Sequence, residues 1–234
     1  MSNILELRDV QTFIGRFHIL EGVSLDVPEG EIVALLGRNG AGKTTTLKTI
    51  LGLTPAREGE LLFEGVDLSG RHSYDIAAMG IGYVPENRAI FGDLSVEENL
   101  RIAERKKGDL ARKSDLIFGL FPDLKRLIKL SGTKLSGGQQ QMLAVARALV
   151  PDNRLLLIDE PSEGLAPVII EQMMEAIRTL STDSTVLLVE QNFIVASRLA
   201  ARYVIIEEGR SVKSGAMADL VNDEATIKRY LGAA

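Results

Sequence analysis

The segment Gly37-Arg38-Asn39-Gly40-Ala41-Gly42-Lys43-Thr44 follows a run of five apolar residues, Ile32 to Leu36, and opens a helical stretch near Lys43. Strand, glycine-rich loop and helix in that order commit the chain to an α/β fold, because such a loop joins a strand end to a helix start over a bound anion. The glycines allow positive φ and expose successive backbone N–H groups, and the helix start adds the positive end of its dipole. Lys43 supplies a point charge, and the Thr44 hydroxyl can ligate Mg²⁺. The expected ligand is a nucleoside triphosphate with Mg²⁺, held by Gly37, Arg38, Asn39, Gly40, Ala41, Gly42, Lys43, Thr44 and Thr45. By itself the loop does not separate a kinase, a GTPase and a motor.

A second pattern narrows the chemistry. Leu155-Leu156-Leu157-Ile158 is a continuous apolar run, as in a parallel strand covered on both faces, and it ends in Asp159-Glu160-Pro161. Open α/β sheets place ligands at the carboxyl ends of their strands, so Asp159 can hold Mg²⁺ while Glu160 polarises an attacking water. A third, Leu135-Ser136-Gly137-Gly138-Gln139, opens the amphipathic stretch Gln140 to Val150. Ser136 then stands at an N-cap, and Ser136, Gly137, Gly138 and Gln139 form a second helix start suited to phosphate. A Ser-Gly-Gly tract is also the composition of a plain flexible turn, and it is the order of the three segments that gives this one meaning.

That order resembles the nucleotide-binding subunits of ABC transporters, over essentially all of residues 4–232. Within the superfamily the chain is similar to the second, F-type ATPase of branched-chain (hydrophobic) amino acid importers. The likeness is carried by Val84-Pro85-Glu86, Pro161-Ser162-Glu163-Gly164-Leu165-Ala166-Pro167, Leu188-Val189-Glu190-Gln191-Asn192 and Tyr230-Leu231-Gly232. Urea and short-chain amide importers use similar subunits, and Gly37-Arg38-Asn39-Gly40 fits them as well. The implied fold is α/β: a P-loop NTPase core of the ABC type with an antiparallel β subdomain and an inserted helical subdomain. One domain spans 1–234, with 1–86 and 151–234 as the core and 87–150 as the helical part, ending in the signature helix.

Composition agrees with a cytosolic ATPase. A chain of 234 residues with 45% apolar content can bury one substantial core. The net charge of −5, without a basic run, and four Tyr and seven Phe scattered along the chain argue against a nucleic-acid partner. No apolar run approaches the ~20 residues that cross a bilayer, and the start Met1-Ser2-Asn3-Ile4-Leu5-Glu6 lacks the pattern of a secretory signal. A membrane role is therefore expected to come through other chains. Zero cysteines leave no disulfide or thiolate site.

Along the chain, Ile4 to Leu7 and Gly22 to Val27 alternate as strands of an antiparallel edge sheet, and Gly59 to Gly65 adds a short one. From about Asn87 to Lys134 the pattern is helical, with a capping box at Ser95-Val96-Glu97-Glu98 and helical spacing of Leu116, Ile117, Leu120, Phe121, Leu124 and Leu127. These apolar faces serve internal packing, or in part receive a helix from a membrane-embedded partner. Val168 to Leu180 reads as a helix and Thr185 to Val189 as a buried strand; residues 203–206 and 210–212 read as a closing hairpin. No internal repeat or accessory C-terminal domain is evident.

The resemblance implies two such domains sandwiching ATP head to tail, with Ser136, Gly137 and Gly138 of one meeting the γ-phosphate held by residues 37–45 of the other. Glu86 would sense the γ-phosphate and Mg²⁺ at the joint with the helical part, and Ser162 to Leu165 would cross the dimer interface. The implied partners are two permease subunits, a second ATP-binding subunit or another copy of this chain, and indirectly a solute-binding protein. The implied location is peripheral, on the cytoplasmic face of the membrane.

Three positions depart from the commonest pattern. Glu86 replaces a glutamine, which leaves a carboxylate near phosphate unless Mg²⁺ or Arg88 offsets it. Ile14 stands before Gly15 where an aromatic usually stacks on adenine; Phe13 or Phe17 is available instead, each with core packing as the competing assignment. Gln191 stands where a switch histidine is expected, and it either takes that place or caps the helix from Phe193 to Leu199. Two other classes compete with the transport reading: a soluble ABC ATPase of translation or chromosome maintenance, and a P-loop kinase of small molecules. The former carries paired nucleotide domains or a long coiled coil; the latter leaves residues 135–139 without a function.

Overall fold

A fully apolar strand needs cover on both faces, and the three such runs in this sequence become the middle of one sheet. The computed structural model describes residues 2–232. In chain order it comprises β1 (Asn3–Ile14), β2 (Phe17–Pro28), β3 (Ile32–Leu36), α1 (Lys43–Ile50), β4 (Ala56–Phe63), β5 (Val66–Asp67), α2 (Ser73–Ala78) and β6 (Ile81–Val84). The inserted part follows as α3 (Val96–Ile102), α4 (Asp109–Leu120), α5 (Pro122–Arg126), a 3-10 turn and α6 (Gly137–Leu149). The chain then runs through β7 (Leu155–Asp159), α7 (Pro167–Leu180), β8 (Thr185–Val189), α8 (Phe193–Leu199), β9 (Arg202–Glu207) and β10 (Arg210–Ala216). It finishes with α9 (Met217–Val221), α10 (Glu224–Thr226) and a single π-type turn, Ile227–Leu231. Among the described residues no helix is long and apolar enough to cross a membrane.

Two sheets result. One is antiparallel with order β2-β1-β4-β5; the other has order β10-β9-β3-β8-β7-β6, parallel from β9 to β6 with β10 antiparallel at its edge. Every residue of β3, β7 and β8 is buried. Their side chains alternate between two cores, as the period of two requires. Ala34, Leu156, Ile158, Val186 and Leu188 pack with Leu100, Phe121 and Leu143 of the inserted helices and with α7. Val33, Leu35, Leu157 and Leu187 face Leu5, Leu7 and Phe63 of the antiparallel sheet and Leu47 of α1. The inserted helices thus share a core with the main sheet and do not form a separate globule.

The first hairpin is longer than the alternating segments suggested. β1 and β2 have 12 residues each and stay paired from Asn3↔Pro28 to Ile14↔Phe17. β4 begins at Ala56, before the expected Gly59, because its exposed charged residues are held by the ladder to β1, from Thr12↔Ala56 to Leu5↔Phe63, and not by an apolar pattern. The closing hairpin likewise extends to Ala216. α2 gives no sequence signal beyond one buried residue, Ile76. The Ser95–Glu98 capping box forms as expected.

Candidate active site

β3 lies between β8 and β9, and its carboxyl end delivers the glycine-rich loop to α1. At Gly37 a Cβ would sit 2.3 Å from the Ile206 carbonyl oxygen, so only glycine can leave the strand here. α1 begins after Gly42 (φ 110°) without any side-chain cap, which leaves first-turn N–H groups for an external acceptor. Lys43 is buried; its Nζ donates to the carbonyls of Gly37 (3.0 Å) and Arg38 (3.2 Å) and pairs with Glu160 Oε1 at 3.2 Å. Thr44 Oγ1 donates to Asp159 Oδ1 at 3.2 Å. A cavity of about 410 Å³ opens over these groups, and its wall includes Asn39, Gly40, Thr45, Glu86, Glu160 and Glu163. Gly42 also lines the cavity and Ala41 is buried, while Arg38 is exposed and donates to the Arg229 carbonyl of the C-terminal turn at 3.3 Å.

Asp159 is fully buried, and burial pushes its carboxyl up to about 6, with Glu160 and Glu86 adding negative charge nearby. Its other oxygen accepts from the Tyr83 hydroxyl at 3.4 Å. A hydroxyl and a carboxylate side by side, within a concentration of negative charge, are the hard oxygen donors that suit Mg²⁺ when phosphate completes its shell. Burial and the neighbouring Asp159 raise the Tyr83 phenol, so it remains a donor. Sequence reasoning missed Tyr83; its only signal was its place just before Val84-Pro85-Glu86.

Glu160 adopts φ 45°, a conformation costly for a non-glycine residue, with its N–H donating to the Val189 carbonyl at 2.9 Å. Two residues on, Ser162 is tied by its N–H and hydroxyl to the buried Glu190 carboxylate. Glu190 lies inside Leu188-Val189-Glu190-Gln191-Asn192, where the sequence alone assigns it no function. Gln191 is exposed and does not line the cavity. It is not the cap of α8 either: Asn192 is, accepting from Ile194 N and Val195 N, because the cap must come directly before the first helical turn.

Ser136 is the N-cap of α6. Its Oγ accepts from Gln139 N at 3.3 Å while Gln139 Oε1 accepts from Ser136 N at 3.0 Å, so the helix starts at Gly137, directly after the expected N-cap. Ser136, Gly137 and Gly138 do not line the cavity of their own chain. The expected compensation of Glu86 by Arg88 is not formed. Arg88 instead donates to Gln140 Oε1 at 3.1 Å and lies against Gly137, while Arg147 donates to the Ala89 carbonyl at 2.6 Å. Residues 88 and 89, both with positive φ, are thereby bound to α6. Glu86 itself is exposed on the cavity wall. On the base-recognition side, Phe13 is sandwiched between His18 (4.1 Å, nearly parallel) and the Arg57 guanidinium (4.5 Å), and Phe17 is exposed. Ile14 and Ile19 make the apolar wall, with neither phenylalanine on it.

Comparisons with known proteins agree with this architecture. The ABC transporter family model matches residues 20–163. The chain is 43% identical over 98% of its length, and all of the relative's, to the high-affinity branched-chain amino acid transport ATP-binding protein BraG of Pseudomonas aeruginosa. It is 34% identical to the probable branched-chain amino acid transport ATP-binding protein LivF of Archaeoglobus fulgidus, covering 97% of this chain and 98% of that one. The fold superposes with a TM-score of 0.84, at 22% identity and over 97% of this chain and 98% of the other, on the ADP conformation of MJ1267, an ATP-binding cassette of an ABC transporter. The chain belongs to the ABC transporter family and is one of its ATP-hydrolysing cassettes.

Proposed function

We propose that this cassette powers the import of branched-chain or other hydrophobic amino acids through partner permeases, working as half of a head-to-tail ATPase dimer on the cytoplasmic membrane face. The observation that carries the cargo is the end-to-end identity of 43% with a branched-chain amino acid transport subunit. The dimer reading is supported by the location of Ser136 to Gly138 off the cavity that Lys43, Thr44 and Glu160 surround. One chain offers half of the phosphate contacts, and the other half is available only to a second chain.

In this reading the N–H groups of residues 37–45 and Lys43 bind the β- and γ-phosphates. Thr44 and Asp159, with Glu86 on the same cavity wall, would hold Mg²⁺, and the ion, when bound, would offset phosphate charge. Glu160 exchanges its Lys43 partner for the attacking water and takes the proton. Gln191 is assigned the orienting of that water in the closed dimer, when its turn and the Glu160 turn move together against the nucleotide. The Ser136 to Gln139 helix start of the second chain stabilises the γ-phosphate and releases it after hydrolysis.

The permease contact is proposed at an apolar groove of about 260 Å³ lined by Leu51, Leu53, Tyr83, Ala103 and Ala148, where the inserted helices meet the core. Leu53 on its wall is exposed, an apolar side chain open to a partner. The test is purification of the chain with its membrane partners and assay in vesicles. ATP-dependent leucine accumulation is expected; accumulation of urea or acetamide without leucine overturns the cargo. Co-purification with ribosomes or DNA in place of permeases overturns the transport reading.

A further inference from the structure

Glu190 is a carboxylate at 1% exposure, and burial and hydrogen bonds, not a cation, dominate its surroundings. Both oxygens are used. Oε1 accepts from Ser162 N at 3.1 Å, and Oε2 is shared by the Ser162 hydroxyl at 3.0 Å and Asn192 N at 3.2 Å. Ser162 is itself buried. One side chain thus holds two separate turns. The first contains Glu160, whose N–H bonds to Val189, and Glu163, which reaches the cavity wall. The second is the Gln191-Asn192 turn that starts α8.

A carboxyl group offers two oxygens on one rigid plane, so it can fix donors from two segments at one angle; an aliphatic side chain of the same size can fix neither. Burying such a group without a cation is costly, and pairing with three donors is what makes it tolerable. Burial pushes the group up to about 7, with Glu160 contributing. Both protonation states keep the link: the neutral acid donates to the Ser162 hydroxyl and the carboxylate accepts from it.

We propose that Glu190 is a positioning residue that locks the 160–165 turn to the 191–192 turn, so that the base Glu160, the segment crossing to the second chain and the switch position Gln191 move as one unit. The inference rests on the reading of Glu160 as base and of residues 162–165 as the interface segment. Loss of the γ-phosphate at Gln191 is then transmitted to the dimer contact through a single buried side chain. Glu190 touches no reacting atom.

The test is steady-state ATPase kinetics on the full chain in its working assembly. Glu190→Ala is expected to lower kcat roughly 10- to 100-fold, the size of effect a misplacement of about 1 Å produces, with KM for ATP within about twofold of the parent. Glu190→Gln keeps a partner for the Ser162 hydroxyl but turns an N–H toward Asn192 N or Ser162 N, so it should recover part of the loss. Ser162→Ala should lower kcat less than Glu190→Ala, and the double variant should be no worse than Glu190→Ala. Parental kcat in Glu190→Ala, or strict additivity with Ser162→Ala, overturns the inference. If Glu190→Ala does not fold, parental kcat in both Glu190→Gln and Ser162→Ala overturns it. Glu160→Gln is the control. If that variant turns over normally, the reading of the site fails and this inference with it; if it is slow while the Glu190 and Ser162 variants are parental, only the positioning inference falls.

Discussion

Lys43 Nζ lies 3.2 Å from Glu160 Oε1, with side-chain exposures of 4% and 10%. The lysine that would face phosphate is thus neutralised by the carboxylate that would activate water. The carboxylate occupies the lysine as a phosphate oxygen would, so in the proposed reading nucleotide binding would compete with this ion pair and free Glu160 in the same step. Lys43→Ala should weaken ATP binding by roughly 10- to 100-fold, the worth of a charged hydrogen bond. It should also lower Tm, since it leaves Glu160 without its cation, and adding Glu160→Gln should restore part of that Tm. Glu160→Gln alone should bind ATP at least as tightly as the parent and hydrolyse it ~10²- to 10⁴-fold more slowly. Calorimetry and single-turnover assays decide: unchanged affinity in Lys43→Ala, or parental hydrolysis in Glu160→Gln, contradicts the assignment.

Ser136→Arg tests the shared site. Ser136 is exposed and does not line its own chain's cavity, so the variant should bind ATP as the monomer does while losing turnover. The large side chain would stand between the two halves of the sandwich. Equilibrium binding with ATPase assays on the same preparation separates the effects, and full turnover contradicts a site built from two chains.

Asn192, not Gln191, caps α8, and Gln191 is exposed off the cavity, so its proposed switch role depends on dimer closure. Gln191→Ala is expected to slow ATP hydrolysis by the assembled transporter with little change in ATP affinity. Gln191→His, which restores a group able to become a cation, should match or exceed the parent. A parental rate in Gln191→Ala would leave the switch function to a partner ATPase subunit.

Glu190 gives stability a pH dependence. Its carboxyl is pushed from near 4.5 up to about 7, chiefly by burial, so the folded state holds this proton more tightly than the unfolded chain. The favourable contribution is complete below about 4.5 and is lost as pH rises through about 7. Glu190→Gln stays neutral and escapes that loss. The difference in Tm between Glu190→Gln and the parent should therefore increase in favour of the variant from pH 5 to pH 8. Thermal melts without nucleotide across that range measure it, and a flat difference contradicts a neutral buried acid.

Much of this molecule was legible in the sequence because the information is local. The run Leu155 to Ile158 and the run Thr185 to Val189 become strands with nearly the expected ends, since continuous apolar residues closed by Asp159 and Glu190 leave little choice. α1 begins at Lys43 and Ser136 forms its capping box, because loop glycines and caps are settled within four residues. The tertiary structure alone decided which groups meet. The strand order β3-β8-β7 brings Lys43 to Glu160 and Thr44 to Asp159; β6 beside β7 carries Tyr83 to Asp159. The same packing aims Arg88 at Gln140 instead of Glu86, closes Phe13 between His18 and Arg57, and joins Glu190 to Ser162. None of these follows from spacing along the chain, because an ion pair or hydrogen bond between distant segments depends on which strand ends lie side by side, and only burial of both faces of the sheet fixes that order.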